Sequence, residues 1–333
     1  MSCKNGFGGG IWPVLILALS TGIVGLLFVL QSHASSAEFG FPASFQTIPP
    51  PIVPITPVEP PVSSPTGPVW IATDLERISP RITGPRDSKP HLRGLLTIPI
   101  GRKSVTLVNE TIHSWMEAKS GRVMLFAYDD FDWSTQSWYS DERIILVRHL
   151  KQMKWWFLKR FVTPLTVEAY DYIWFSDDDA HFTWNPNEYM DLLDKFQVEL
   201  SQPAHVMTRP CAPSVWDVTH QRDTQHGGGP NGRWVDFVEC GPLVIVHREL
   251  WKRCVWNFVQ EDLSSGYGLD EMWYEACHQP KTAVIDKLPM CHKSTQSARA
   301  ANREFYDPER EWPIYGQRHP HVRKAAKRTL GTF

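Results

Sequence analysis

The chain has 333 residues, a formal net charge of −2, 21% charged residues and 12% aromatic residues, 15 of them tryptophan. No broad basic surface is available for nucleic acid, and the aromatic content calls for a packed body rather than a solvated chain.

Ile11–Leu30 is an uncharged run of 20 residues. At about 1.5 Å per helical residue it spans roughly 30 Å, the thickness of a bilayer core. It is expected to be a signal anchor, with residues 1–10 as a cytoplasmic tail. A cleaved signal ending near Ser32-His33-Ala34 is the alternative. Residues 31–91 read as a semi-rigid stem, because ten prolines fall between Phe41 and Pro68 and proline removes backbone donors. A folded body over residues 92–320 follows, then residues 321–333. Arg323, Lys324, Lys327 and Arg328 make that end basic, either as a membrane or nucleic-acid contact or as a plain solvated end.

Strands are expected over Leu95–Ile100, Arg122–Phe126, Ile144–Val147 and Tyr172–Phe175, with Pro99 marking an end or an edge. Helices are expected over Val105–Met116 and Gln152–Phe161. Strands alternating with helices predict an α/β fold with a mixed central sheet flanked by helices. Asn185, Pro186 and Glu188 announce a helix whose apolar face is Tyr189, Leu192, Leu193 and Phe196. Past Leu200 come Ser201-Gln202-Pro203-Ala204, then a polar region to about Arg233 that contains Gly227-Gly228-Gly229 and reads as a loop. Val235–Val246 is strand-like, broken at Cys240-Gly241-Pro242. A helix over Arg248–Gln260 follows, then one over Glu271–Cys277 and a strand over Thr282–Ile285 that ends at Asp286.

Cys211, Cys240, Cys254, Cys277 and Cys291 allow at most two disulfides and one free thiol, with Cys254 expected in the core. Asn109-Glu110-Thr111 is a glycosylation sequon, usable only by a luminal body.

The chemistry concentrates at Tyr172-Ile173-Trp174-Phe175-Ser176-Asp177-Asp178-Asp179. Asp177 and Asp179, two apart at a strand end, point the same way while Asp178 points aside. Two carboxylates aimed at one point favour a cation, and Mn²⁺ or Mg²⁺ takes oxygen ligands while leaving positions for a diphosphate. An acidic surface turn is the bland alternative. Lys154, Lys159 and Arg160 are candidates to meet a diphosphate, or else snorkel over an apolar helix. Arg102 and Lys103 follow the first strand, and Asp129 and Asp130 the second, where open α/β sheets bind ligands. Asp270, at a helix start, is the first candidate for general base or else a helix cap. Glu239 competes with it, and His292 is a candidate third metal ligand. No Gly-x-Gly-x-x-Gly follows a strand, and neither a phosphate loop nor a Gly-x-Ser-x-Gly elbow is present.

Trp138-Tyr139-Ser140-Asp141, residues 154–161 (Lys-Trp-Trp-Phe-Leu-Lys-Arg-Phe), Ser201-Gln202-Pro203-Ala204, Phe237-Val238-Glu239, Arg253-Cys254-Val255-Trp256 and Gly268-Leu269-Asp270 carry a resemblance. The body resembles the plant-type family called Domain of Unknown Function 707, itself related to GT-A glycosyltransferases. The resemblance implies a GT-A-like nucleotide-diphospho-sugar transferase fold, with Asp177, Asp179 and His292 on the metal and Asp178 within the donor-binding acidic motif. Asp270 is the implied base. It also implies a nucleotide-sugar donor and a glycan, glycoprotein or glycolipid acceptor. With the anchor and stem, the expectation is a metal-dependent glycosyltransferase of the Golgi membrane, single-pass and type II. An inactive luminal binding or scaffolding protein and a luminal carboxylate-dependent hydrolase are the rival expectations.

Overall fold

Long apolar runs with no polar alternation form strands when both faces of a sheet are covered. The computed structural model shows that arrangement; it describes residues 69–70, 92–223, 229–260, 262, 266–293 and 308–333. Of its two units, Met1–Glu59 and Pro60–Phe333, only the second contains described residues. The expected anchor and nearly all of the expected stem lie outside the described residues. Among the described residues no helix is long and apolar enough to cross a membrane.

One mixed sheet organises the body. Strands β1 (Val69–Trp70), β2 (Leu92–Ile100), β3 (Gly121–Ala127), β4 (Ile144–Arg148) and β5 (Tyr170–Ser176) are parallel, in the order β1-β4-β3-β2-β5. Beyond β5 come β9 (Leu243–His247), antiparallel to it, then β7 (Leu200–His205) and β10 (Thr282–His292). The edge is β8 (Arg233–Val235) and β11 (Thr329–Thr332), and the short β6 (Ala180–His181) pairs with the end of β10.

Side-chain alternation splits the core into two layers. Leu96, Val123, Leu125, Trp174 and Ile245 face α1 (Val105–Glu117) and α3 (Pro186–Phe196) on one side. Leu95, Met124, Phe126, Ile173, Phe175 and Val244 face α2 (Lys154–Phe161), α4 (residues 248–258), α5 (Leu269–Ala276) and α6 (Pro308–Arg318) on the other. The Asn185 side chain accepts from the Asn187 N–H, the cap expected for α3.

Several expectations change. Residues 200–205, given no element by the sequence, form a buried strand, β7, despite Pro203. Its pairing with β9 stops at Ser201, so Pro203 lies where one flank carries no ladder. Pro99 is handled alike: the pairing of β2 with β5 stops at Thr97 while β3 continues alongside. The strand expected to end at Asp286 runs on to His292, with Asp286 buried inside it against Arg233. The expected helix over 248–260 holds a π-helical stretch at Trp251–Val255 and ends at Phe258.

Two disulfides, Cys211–Cys291 and Cys254–Cys277, leave Cys240 as the buried free thiol. Cys254, expected in the core, is thus cross-linked and half-buried against it. The sequon amide is engaged: Asn109 Nδ2 donates to Gln136 and its Oδ1 accepts from Trp138, within helix α1.

The basic end is exposed but docked. Lys324 and Lys327 both reach Glu271 at 2.7 Å, Arg328 and Ala326 donate backbone N–H groups to Asp236, and β11 pairs with β8. Burial works against the Glu271 charge, but these partners and Trp312 outweigh it and hold its pKa near 2.

Candidate active site

The chain leaves β2 toward β3 on one flank and returns from β4 to β5 on the other. That reversal opens a crevice beyond the carboxyl ends of β2 and β5. The acidic turn 177–179 follows the end of β5 at that point.

The three acids diverge as the strand pattern demands. Asp178 turns into the protein, where one of its oxygens accepts from Ser104 Oγ at 2.6 Å and Tyr128 Oη at 2.7 Å. Gly101 permits this contact, since a Cβ there would lie 2.3 Å from the Tyr128 hydroxyl. Asp178 therefore ties the end of β5 to the turns after β2 and β3.

Asp177 and Asp179 stand at the cleft. Asp177, with a third of its side chain open, forms an ion pair of 2.6 Å with the buried Lys154 of α2. Burial raises its pKa and neighbouring Asp179 adds to this, while Lys154 acts in the opposite sense. Asp179 Oδ1 lies 3.3 Å from His292 Nε2, at the end of β10. Burial disfavours the His292 cation, but Asp179, with Asp177 and Glu239, outweighs it and raises the pKa.

Residues 239–242 pass beside the acids and are held at Glu239, Cys240 and Pro242. The Glu239 N–H donates to Gln202 Oε1, and the Cys240 N–H donates to Asp270 Oδ2 at 3.3 Å. The Asp177 N–H donates to the Pro242 carbonyl. Gly241 lies so close that a Cβ would stand 2.8 Å from Asp177 Oδ2, which explains a residue without a side chain there.

Asp270 and Glu239 are the perturbed acids. Asp270 is in the first turn of α5, whose cap is Gly268, so the expected capping role falls to the glycine. Burial lifts its pKa to about 6. Glu239 Oε1 accepts from Ser214 and from Thr219, and burial, with Asp270 nearby, lifts its pKa to about 7. His205 lies beyond, its ring 6.4 Å from that of His292, and burial lowers its pKa to about 3. The Cys211–Cys291 bridge and the bond from Ala212 N–H to the His292 carbonyl pin the loop that carries Ser214.

The raised acids imply a stability slope. A carboxyl group whose folded pKa exceeds its unfolded value of about 4.5 keeps the folded state more protonated between the two, so stability falls as pH rises through that window. Glu239→Gln abolishes the Glu239 share of this loss. Its Tm relative to the parent is expected to be higher at pH 8 than at pH 5, by thermal unfolding at both. A Tm difference independent of pH would show that Glu239 titrates normally.

Of the other expected site residues, the structure brings Lys154 to the acids and turns two away. Lys159 Nζ donates to the Trp256 carbonyl over that ring, and Arg160 covers Trp156, so both lie along the helix surface as the snorkelling alternative describes. Arg102 and Lys103 are exposed at the crevice mouth. There the Arg102 N–H donates to Asp129, and its guanidinium lies 3.4 Å from Asp130. The sequence reading missed Ser104, Tyr128, Gln202, His205, Ser214 and Thr219. A polar residue at the end of a strand was the signal for His205, masked by Pro203.

Among the described residues no group of three His, Cys, Asp or Glu side chains is disposed to hold a metal ion. Asp177, Asp179 and His292 are nonetheless within electrostatic reach of one another. Lys154 and His292 each pair with one of the two acids.

Fold and site together define an α/β protein with a carboxylate-lined cleft at the switch point of a mixed sheet. The chain belongs to the DUF707 family, whose model, described as a protein of unknown function, matches residues 63–333. No curated protein matches the chain. Among solved structures it is similar to a Bacillus anthracis protein provisionally assigned as a glucose-1-phosphate thymidylyltransferase, in complex with a sucrose. That likeness has 9% identity, a TM-score of 0.37, and covers 65% of this chain and 96% of the other. HddC from Yersinia pseudotuberculosis matches at 12% identity and TM-score 0.34, over 65% of this chain and 100% of its own. A 4-diphosphocytidyl-2C-methyl-D-erythritol synthase from Anaerococcus prevotii matches at 9% and 0.33, over 64% and 96%. These likenesses are loose, and the functional reading rests on the residues of this chain.

Proposed function

We propose that this protein is a GT-A-like glycosyltransferase that moves a sugar from a nucleotide-sugar donor to a glycan, glycoprotein or glycolipid acceptor. The observation that carries the reading is the convergence at one cleft of Asp177 and Asp179 from the end of β5, His292 from β10, Lys154 from α2 and the raised carboxyls Asp270 and Glu239.

Asp177, Asp179 and His292 would hold Mn²⁺ or Mg²⁺, which would supply positive charge to a departing diphosphate. Lys154, buried against Asp177, adds a fixed positive charge at the same place. Arg102 and Lys103 meet the nucleotide at the crevice mouth, with Asp129 orienting the turn between them. Asp270, deprotonated above about pH 6, accepts the proton of the acceptor hydroxyl. The hydroxyl oxygen bonds to the anomeric carbon as the bond to the diphosphate breaks.

The apolar run at residues 11–30 and the prolines after it extend the proposal to a single-pass type II protein of the Golgi membrane. Two disulfides suit its oxidising lumen. One observation favours an inactive binding protein instead: Lys154 and His292 each already partner one of the acids.

Asp270→Asn tests the assignment. Turnover of a panel of UDP-, GDP- and CMP-sugars is expected to fall by on the order of 10²–10⁴-fold, the usual share of a general base. Nucleotide binding by calorimetry is expected to be unchanged. Full turnover in the variant would remove Asp270 as the base.

A further inference from the structure

Two buried polar side chains beside the acids have unmet hydrogen-bonding groups. His205, at the end of β7, is 1% exposed, and neither ring nitrogen has a hydrogen-bond partner. The Gln202 side-chain nitrogen, on a residue 0% exposed, has none either. Such groups are rare in folded interiors because each lost partner is costly, so two together mark a place shaped for a bound group.

Both face Glu239. His205 Nε2 stands 3.5 Å from Glu239 Oε1, and Gln202 Oε1 accepts the Glu239 N–H. Ser214 and Thr219 already donate to that same carboxylate oxygen. The Glu239 side chain is 17% exposed, so this carboxylate is the open side of the cluster.

We propose that Gln202, His205 and Glu239 form a subsite for adjacent hydroxyls of a sugar ring. The chemistry selects this ligand class. A hydroxyl both donates and accepts; the carboxylate takes its proton side, the Gln202 amide supplies a donor, and a neutral imidazole supplies one of each. A phosphate would meet the Glu239 charge whenever that acid is ionised, and an apolar group would leave the Gln202 amide nitrogen and the His205 ring unsatisfied.

Position in the sheet agrees. The crevice for a nucleotide lies at β2 and β5, whereas this cluster sits at the end of β7, beyond β9. The His205 ring is 6.4 Å from that of His292, which touches Asp179. A sugar there adjoins the diphosphate position, as the transferred sugar of the donor or as the acceptor. The inference rests on the transferase reading for that placement.

Saturation-transfer NMR on the full chain with diamagnetic Mg²⁺ separates the possibilities. The probes are methyl glycosides of galactose, glucose, mannose and xylose, and in parallel UDP-, GDP- and CMP-sugars. Ring protons of at least one probe are expected to saturate. Binding should weaken about tenfold in Gln202→Met and in His205→Asn, as one lost hydrogen bond predicts. Glu239→Gln, which keeps size and shape, is expected to do the same should either of those variants fold poorly.

Loss confined to ring protons of a nucleotide-sugar, with its base protons still saturated, assigns the subsite to the donor. Loss for a free glycoside assigns it to the acceptor. Saturated glycosides with no nucleotide signal would keep the subsite and remove the transferase reading. No saturation of any sugar in the parent would mean a buried water only and overturn the inference. Unchanged saturation in all three variants would overturn it equally.

Discussion

Asp177→Asn is expected to lower sugar transfer by on the order of 10²–10³-fold, comparable to removing one preorganised charge-stabilising group from an active site. The substitution takes one negative charge from a paired set and leaves a neutral amide, a poor ligand for a hard cation. It also strips the buried Lys154 ammonium of its 2.6 Å ionic partner, although the amide oxygen remains an acceptor. The turn is expected to survive, because the bond from the Asp177 N–H to the Pro242 carbonyl uses only backbone. Initial rates, Mn²⁺ affinity and Tm measured together separate the two effects. A variant with full rate and unaltered Mn²⁺ affinity would show that Asp177 is only the counter-ion of Lys154.

The largest effect on stability is expected at Arg233, far from any role in chemistry. Arg233 is 1% exposed and Asp286 is 1% exposed; Nε and Nη2 of the guanidinium reach the two carboxylate oxygens at 2.8 and 3.1 Å. Nη2 also donates to the His220 carbonyl, and the Arg222 N–H donates to Asp286. Arg233→Met keeps the apolar stem and leaves a buried carboxylate with a single backbone donor. Breaking one side of a buried pair costs about 3–5 kcal/mol. In a body of this size that corresponds to a Tm lower by roughly 10 °C. Replacing both residues with apolar side chains of matching volume is expected to recover most of the loss, since the uncompensated charge, not the missing bond, dominates. Thermal unfolding of the single and double variants checks both statements; a single variant within about 1 kcal/mol of the parent would contradict them. The Arg233 contact also steadies the segment that carries Thr219, which donates to Glu239, so a structural pair far along the sequence reaches into the cleft.

Much of the parallel half was legible because its strands are covered on both faces. Burial on two sides demands unbroken apolar runs, and Val123–Ala127 and Tyr172–Phe175 announce themselves. The Asn185 cap and the acids at the end of β5 were legible for equally local reasons. What failed was long-range. Pro203 argues against a strand unless the pairing around it is known, so the sequence does not announce β7 or the place of His205 at its end. The basic residues of 321–333 look solvated until their partners Glu271 and Asp236 are brought near by the fold. Lys154, Lys159 and Arg160 share one helix and one charge. Only helix rotation decides that Lys154 faces Asp177 while Arg160 lies on Trp156 and Lys159 on Trp256. Position alone leaves Asp270 open as a general base or a cap; only the fold shows that its carboxylate receives the Cys240 N–H from a segment thirty residues earlier.

Nucleotide binding tests the central claim most directly. The purified protein would be titrated calorimetrically with UDP, GDP and CMP, each with and without Mn²⁺, alongside Asp177→Asn. Binding of one nucleotide that requires Mn²⁺ and vanishes in the variant is the result expected of a donor site built on Asp177, Asp179 and His292. A folded protein that binds none of the three under either condition would contradict it and leave the cleft as that of a binding protein, its acids satisfied by Lys154 and His292.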